Sequence, residues 1–365
     1  MKKNIIVFSN PFGYGPTGTA IPVLTSLLGK VKDSEILFAG SGLCMEIMSG
    51  INVKKVYLNE RDEEEIIKYL RTVENPFVIG SQNRFCIKAA RKLNIPCSFI
   101  DILAWFWKEI PPDHLLADEI FWIKFPGVEK KIPQDKKNIY LVSSIIRTPV
   151  KKTPNRKYLA VHVGGAKYPP LNEVPRFYLN LIAKGLNEID ISGAYEGITF
   201  SGGSEAVDYL KQKINNAKVI FVREDYIQKL SQSSHLLTNA GVSSTLESFS
   251  LNVPTSFLPP LNLSQAALLD VLLKNDCAPN YMIWNKYVDE RRDLRDMIEK
   301  DAIAEINNYA KIVDEDRNLS AKFVKDFVNL ATFIPDNSKQ VKLIEYLGYS
   351  GADEVVEILC KKWNL

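Results

Sequence analysis

Residues 236–258 order themselves as an apolar pair, a glycine turn, a helical stretch and a second apolar run: Leu236-Leu237, then Thr238-Asn239-Ala240-Gly241, then 242–250, then Val253-Pro254-Thr255-Ser256-Phe257. Two strands joined through a helix run parallel, and a parallel sheet needs helices on both faces. The same alternation recurs along most of the chain. It predicts an α/β protein with strands near 4–9, 35–39, 76–80, 97–100 and 139–142, and helices near 18–29, 62–71 and 83–93. A basic segment with two prolines, 147–157, interrupts the pattern and reads as a linker. Strands near 158–163, 197–200, 218–222, 235–238 and 254–258 then alternate with helices near 174–186, 204–215, 224–231, 244–251 and 264–274.

At 365 residues the chain exceeds what one core usually supports. Two Rossmann-like, doubly wound parallel-sheet domains are expected, at 1–150 and 151–330. A helical segment, 331–365, is expected to pack across the seam between them.

The turn at Gly241-Val242-Ser243-Ser244 opens a helix, where backbone N–H groups and the positive dipole end attract a phosphate or diphosphate. Glu247, one turn on, is placed to accept hydrogen bonds from ribose hydroxyls. A purely structural reading stands beside this one: Ser244-Thr245-Leu246-Glu247 also fits a capping box.

A second glycine motif, Gly13-Tyr14-Gly15-Pro16-Thr17-Gly18, follows the first strand and satisfies G-x-G-x-x-G. A nicotinamide oxidoreductase is therefore a rival reading. That fingerprint wants an acid at the end of the second strand, where this chain has Phe38-Ala39-Gly40-Ser41-Gly42. Gly13, Tyr14 and Gly15 suit an acceptor substrate instead, or a tight turn that needs glycine conformations.

The run Thr238 to Ser248, followed by Asn252-Val253-Pro254 and by Pro259-Pro260-Leu261-Asn262-Leu263-Ser264-Gln265, resembles the nucleotide-sugar glycosyltransferases of the two-domain GT-B fold. The likeness is strongest to the branch holding plant-type UDP-sugar transferases and lipid-linked N-acetylglucosaminyltransferases. It implies that Asn239, Gly241, Ser243, Ser244 and Thr245 hold the donor diphosphate, Glu247 the ribose and Gln265 the sugar. Val161-His162-Val163-Gly164-Gly165 resembles the opening strand of the same family's donor domain, which implies that Gly164 and Gly165 face the donor. Two positions depart from the family pattern: Ala240 stands for a glycine and Ser264 for an acid. A looser similarity of Pro11 to Pro16 and Asp101 to Trp105 to cytosine glucuronosyltransferases implies a UDP-glucuronate donor and a pyrimidine acceptor.

Glycosyl transfer needs a base for the acceptor proton and stabilisation of the departing diphosphate. Asp101, at the carboxyl end of a strand, is the first candidate base, with an N-cap for 102–109 as its structural alternative. His114 is the second candidate. Trp105, with Phe106 and Trp107, offers an acceptor platform or interior packing. The one Asp-x-Asp, Asp314-Glu315-Asp316, falls in the helical stretch after 286 and not beside a glycine turn, so metal independence is expected, with no cofactor.

A net charge of +3 gives no footprint for nucleic acid, and lysines 130, 131, 136, 137, 151 and 152 read as a solvated stretch. No apolar run is long enough for a membrane span, and no signal-peptide pattern opens the chain, so a cytoplasmic location is expected. Five scattered cysteines argue against a disulfide frame and a cysteine zinc site. The expected partners are thus a UDP-sugar and a small-molecule acceptor, with a homodimer left open. A nucleotide-sugar 2-epimerase is the other enzyme reading on this fold.

Overall fold

A computed structural model describes residues 3–147, 153, 156–167, 173–191, 193–222, 226–289, 294 and 297–365. The boundary expected at 150/151, and Thr148 to Lys152, Pro154 and Asn155 of the expected linker, lie outside the described residues. The chain divides into two compact units: Met1–Thr148 with Glu345–Leu365, and Pro149–Ile344. The final helix thus belongs to the first unit.

Unit 1 is built on seven parallel strands: β1 (Asn4–Ser9), β2 (Glu35–Gly40), β3 (Lys54–Tyr57), β4 (Pro76–Ser81), β5 (Cys97–Asp101), β6 (Glu119–Ile123) and β7 (Ile139–Val142). Their order is β3-β2-β1-β4-β5-β6-β7. Its helices are α1 (Gly15–Lys30), α2 (Gly42–Ile47), α3 (Glu63–Leu70), α4 (Arg84–Lys92) and, from the C-terminus, α13 (Gly351–Trp363). Strand alternation divides the interior. Ile6, Phe8, Val78, Phe99 and Trp122 share one core with Ile66, Ile67, Cys86 and Ile87 of α3 and α4. The intervening Phe77 meets Trp363 of α13 at 5.4 Å between ring centroids, and α1 packs on α13. Strands β3 and β6 are not expected from sequence. Lys54-Lys55-Val56-Tyr57 is a polar edge strand, and Glu119-Ile120-Phe121-Trp122-Ile123 is buried on both faces, so neither shows a clean period of two.

Unit 2 carries five parallel strands: β8 (Tyr158–His162), β9 (Gly197–Ser201), β10 (Val219–Val222), β11 (Ser233–Thr238) and β12 (Thr255–Phe257), ordered β10-β9-β8-β11-β12. Between and after them come α5 (Arg176–Glu188), α6 (Ser204–Lys211), α7 (Tyr226–Ser231), α8 (Val242–Ser250), α9 (Leu263–Lys274), α10 (Glu299–Glu315) and α11 (Arg317–Thr332). The last of these before the C-terminal helix, α12, is Ser338–Leu347. Helices α5, α10 and α11 pack together. Gly185 makes the α5–α11 approach feasible, since a Cβ there would stand 2.4 Å from the Phe327 ring.

In each sheet the chain winds outward in both directions from one central pair of hydrogen-bonded strands, β1 and β4 in the first and β8 and β11 in the second. A crevice forms beyond the strand ends at such a switch point, where ligands bind in open α/β sheets.

Candidate functional site

The glycine turns expected from sequence fall at these switch points. In unit 2 the loop after β8 carries Gly164, held at φ +62°, and Gly165. The loop after β9, Gly202-Gly203, is pressed against it: Gly203 N–H donates to the Gly164 carbonyl at 2.9 Å. Sequence reasoning missed this second glycine pair, although its signal, Gly-Gly-Ser between a strand and a helix, is present in the chain.

Beside β8, β11 runs into Asn239-Ala240-Gly241 and then α8. The helix starts at Val242 with Gly241 as N-cap, a residue with no side chain to cap it. The capping-box reading therefore fails, because Ser244 lies inside the first turn, where its Oγ donates to the Gly241 carbonyl at 3.2 Å. Gly241, Ser243 and Ser244 are half-buried, whereas Asn239, Thr245 and Glu247 are buried. Asn239 Nδ2 donates to Tyr178 Oη at 2.9 Å and to the Pro259 carbonyl at 2.6 Å, tying the β11 and β12 loops together. Its Oδ1 and the Thr245 Oγ1 are buried without a hydrogen-bond partner among the described residues. Buried polar atoms are ordinarily satisfied, and these two flank one turn.

Gln265 stands in the first turn of α9. Its Oε1 accepts Leu261 N–H at 2.7 Å and its own N–H goes to the Asn262 cap at 2.9 Å. The amide Nε2 is the part of Gln265 left to donate. His162, at the end of β8, is buried, 2.8 Å from Ser201 Oγ through Nδ1 and packed on the Tyr226 ring at 4.3 Å.

In unit 1, Gly13 takes φ +61° and leads through Tyr14 into α1. Tyr14 Oη donates to Glu46 on α2. A Cβ at Gly15 would meet nothing within 4 Å, so packing within the chain does not demand glycine there. The ribose-binding acid of a dinucleotide site is missing from the end of β2. The nearby carboxylate, Glu60, is fully buried, with Ser41 Oγ donating to it at 2.7 Å, and burial pushes its carboxyl up from the usual range.

Adjoining this loop is a polar cluster on β4 and β5. Asn10 Nδ2 donates to the Gln82 carbonyl at 3.1 Å, and Gln82 Nε2 donates to Asp101 Oδ1 at 2.5 Å. Asp101 is fully buried and receives three further donors: Leu103 N–H at 2.8 Å, Trp107 Nε1 at 3.2 Å and His114 Nδ1 at 2.8 Å. The sequence posed Asp101 and His114 as alternative bases; the fold makes them partners. An ionised carboxylate can only accept, so against it His114 Nδ1 is the donor, and in a neutral imidazole with hydrogen on Nδ1 the Nε2 atom is the acceptor nitrogen. The capping role weighed for Asp101 holds in part, since its Oδ1 accepts Leu103 N–H at the start of the turn. Trp105 packs on Phe125 at 5.3 Å and donates from Nε1 to the Ile102 carbonyl, whereas Trp107 stands edge-on to His114 at 5.4 Å.

No protein-family model matches the chain, and no curated protein matches it. Solved structures do. The spinosyn rhamnosyltransferase SpnG, complexed with thymidine diphosphate, aligns over 98% of this chain and 100% of its own at TM-score 0.57 and 12% identity. MurG of Acinetobacter baumannii aligns over 98% and 99% at TM-score 0.53 and 14% identity. The UDP-GlcNAc 2-epimerase of Neisseria meningitidis, bound to UDP-GlcNAc, aligns over 99% and 100% at TM-score 0.54 and 13% identity. The chain has the two-unit α/β fold of these proteins, the GT-B fold that its motifs resemble. No helix among the described residues is long and apolar enough to cross a membrane.

Proposed function

We propose that the protein is a glycosyltransferase that moves a sugar from a nucleoside diphosphate, most simply UDP, to a small-molecule acceptor. The observation that carries this reading is the N-terminus of α8 at the unit 2 switch point, begun at a glycine with no capping side chain, with the Gly164-Gly165 loop after the neighbouring strand β8. Its amide donors and dipole suit the growing charge of a departing diphosphate. Asn239, Ser243, Ser244 and Thr245 supplement them, Glu247 holds the ribose, and the Gln265 amide meets the sugar. Charge stabilisation of this kind proceeds without a metal.

Unit 1 supplies the base. Asp101 holds the imidazole through Nδ1, and His114 Nε2 takes the acceptor's proton as its heteroatom bonds to the anomeric carbon. The bond from that carbon to the diphosphate breaks, its electron pair leaving with the nucleotide. Gly13, Tyr14, Gly15 and the Trp105–Trp107 turn form the acceptor side. The looser likeness to cytosine glucuronosyltransferases makes UDP-glucuronate and a nucleobase or nucleoside the first donor and acceptor to try, in an antibiotic-type pathway.

Calorimetry with UDP, TDP and NAD tests the reading. UDP binding that is lost in Glu247→Ala supports it, and a preference for NAD ends it. Incubation with UDP-GlcNAc alone separates the epimerase, which would convert the sugar with no acceptor present.

A further inference from the structure

The turn at 102–107 supplies two of the four donors on Asp101; it is not a helix, and within it Phe106 N–H donates to the Leu103 carbonyl at 2.8 Å, Trp107 N–H to the same carbonyl at 3.4 Å and Trp105 Nε1 to the Ile102 carbonyl at 2.9 Å, which leaves the carbonyls of Ala104, Trp105 and Trp107 to an outside donor. That donor is Lys131, brought up by a short 3₁₀ turn (Val128–Lys131) that starts from Gly127 at φ +84°. Lys131 Nζ donates to the carbonyls of Ala104 at 3.3 Å, of Trp105 at 2.7 Å and of Trp107. Three carbonyls use the three protons of an ammonium, so its hydrogen-bonding capacity is spent on this one turn. Burial pushes the Lys131 ammonium down, and the charge of Asp101 opposes that shift, so the cation lies within electrostatic reach of the carboxylate it serves.

We infer that Lys131 is a positioning residue for the His114–Asp101 pair, acting by clamping the turn that aims Leu103 N–H and Trp107 Nε1 at the carboxylate; this rests on the proposed role of that pair. The lysine touches neither His114 nor Asp101 directly. Releasing it frees Trp107 to swing, which removes a donor from the oxygen that orients the imidazole.

The test uses the full-length protein and the variants Lys131→Met, Lys131→Arg and Trp107→Phe. Hydrogen exchange of the Trp107 indole N–H, followed by NMR, is expected to quicken at least tenfold in Lys131→Met and to return toward wild type in Lys131→Arg. Turnover is expected to fall about tenfold in Lys131→Met and in Trp107→Phe, with the donor KM within twofold of wild type. Unchanged indole exchange in a folded Lys131→Met protein overturns the inference. So does unchanged turnover in Trp107→Phe, which leaves the lysine in place and serves if Lys131→Met does not fold. Failure of the transferase reading shows separately, as a wild-type protein that neither binds UDP nor transfers sugar; indole exchange reports on the clamp even then.

Discussion

Replacing Gly203 with alanine puts the unit 2 switch point under direct strain. A Cβ at this position would stand 2.3 Å from the carbonyl oxygen of Gly165 and 3.2 Å from its carbon, where real Cβ atoms essentially never come within 3.0 Å. The gap must open by at least 0.7 Å (3.0 minus 2.3). The obstacle is backbone, so no side chain can swing aside, and the bond from Gly203 N–H to Gly164 stretches with it. Overpacking of this kind costs about 1–3 kcal/mol. If that strain falls on the turn that meets the nucleotide, at ~1.4 kcal/mol per tenfold, UDP affinity should drop roughly 5- to 100-fold. Isothermal calorimetry measures this directly, with circular dichroism to establish that the variant is folded. Gly29→Ala is the matched control: its added Cβ meets nothing within 4 Å, and it should bind UDP as the wild type does. A folded Gly203→Ala protein with wild-type UDP affinity would show that the Gly164-Gly165 turn does not contact the nucleotide.

Other expectations are as concrete. His114→Ala should lower turnover about 10²- to 10⁴-fold with UDP affinity within twofold, and Asp101→Asn should also reduce turnover while sparing affinity; steady-state kinetics with a UDP titration checks both. Gly185→Ala drives a methyl into the Phe327 ring and should destabilise by about 1–3 kcal/mol, read as a lower urea midpoint. Two groups of unit 2, the buried His235 and the half-buried Glu299, should give opposing pH dependences. Burial holds the His235 imidazole down at about 4 against 6.5, so its share of stability is full above pH 6.5 and is lost as pH falls toward 4. Burial pushes Glu299 up to about 7 against 4.5, so its share is full below pH 4.5 and is lost as pH rises through 7. Each share has a ceiling of about 3 kcal/mol, because a tenfold change in proton affinity is worth ~1.4 kcal/mol. Urea midpoints of Glu299→Gln should therefore rise between pH 4.5 and 6.5, those of His235→Gln should fall, and the wild type should be flatter than either. Parallel profiles for the two variants would contradict the assignment.

The alternation of short apolar runs with helical stretches was enough to establish two parallel α/β sheets, because a parallel strand must be reached through a crossover. Local chemistry also placed the glycine turns, since a turn between strand and helix is written in neighbouring residues. It was weakest where burial overrides pattern. Strand β6 is covered on both faces and β3 is a polar edge, and each became visible only through its neighbours in the sheet.

The candidate catalytic pair shows the same division. Asp101 and His114 are legible as residue types, but their 2.8 Å contact depends on the path of the turn between them. That turn is clamped by Lys131, which lies beyond both of them in the chain. The likeness of Ser244-Thr245-Leu246-Glu247 to a capping box was likewise undone by where α8 begins. Short-range chemistry determined which segments become strands, turns and helices. Tertiary packing decided which side chains meet, because contacts between distant residues depend on how whole elements are stacked and carry no signature in the residues beside them.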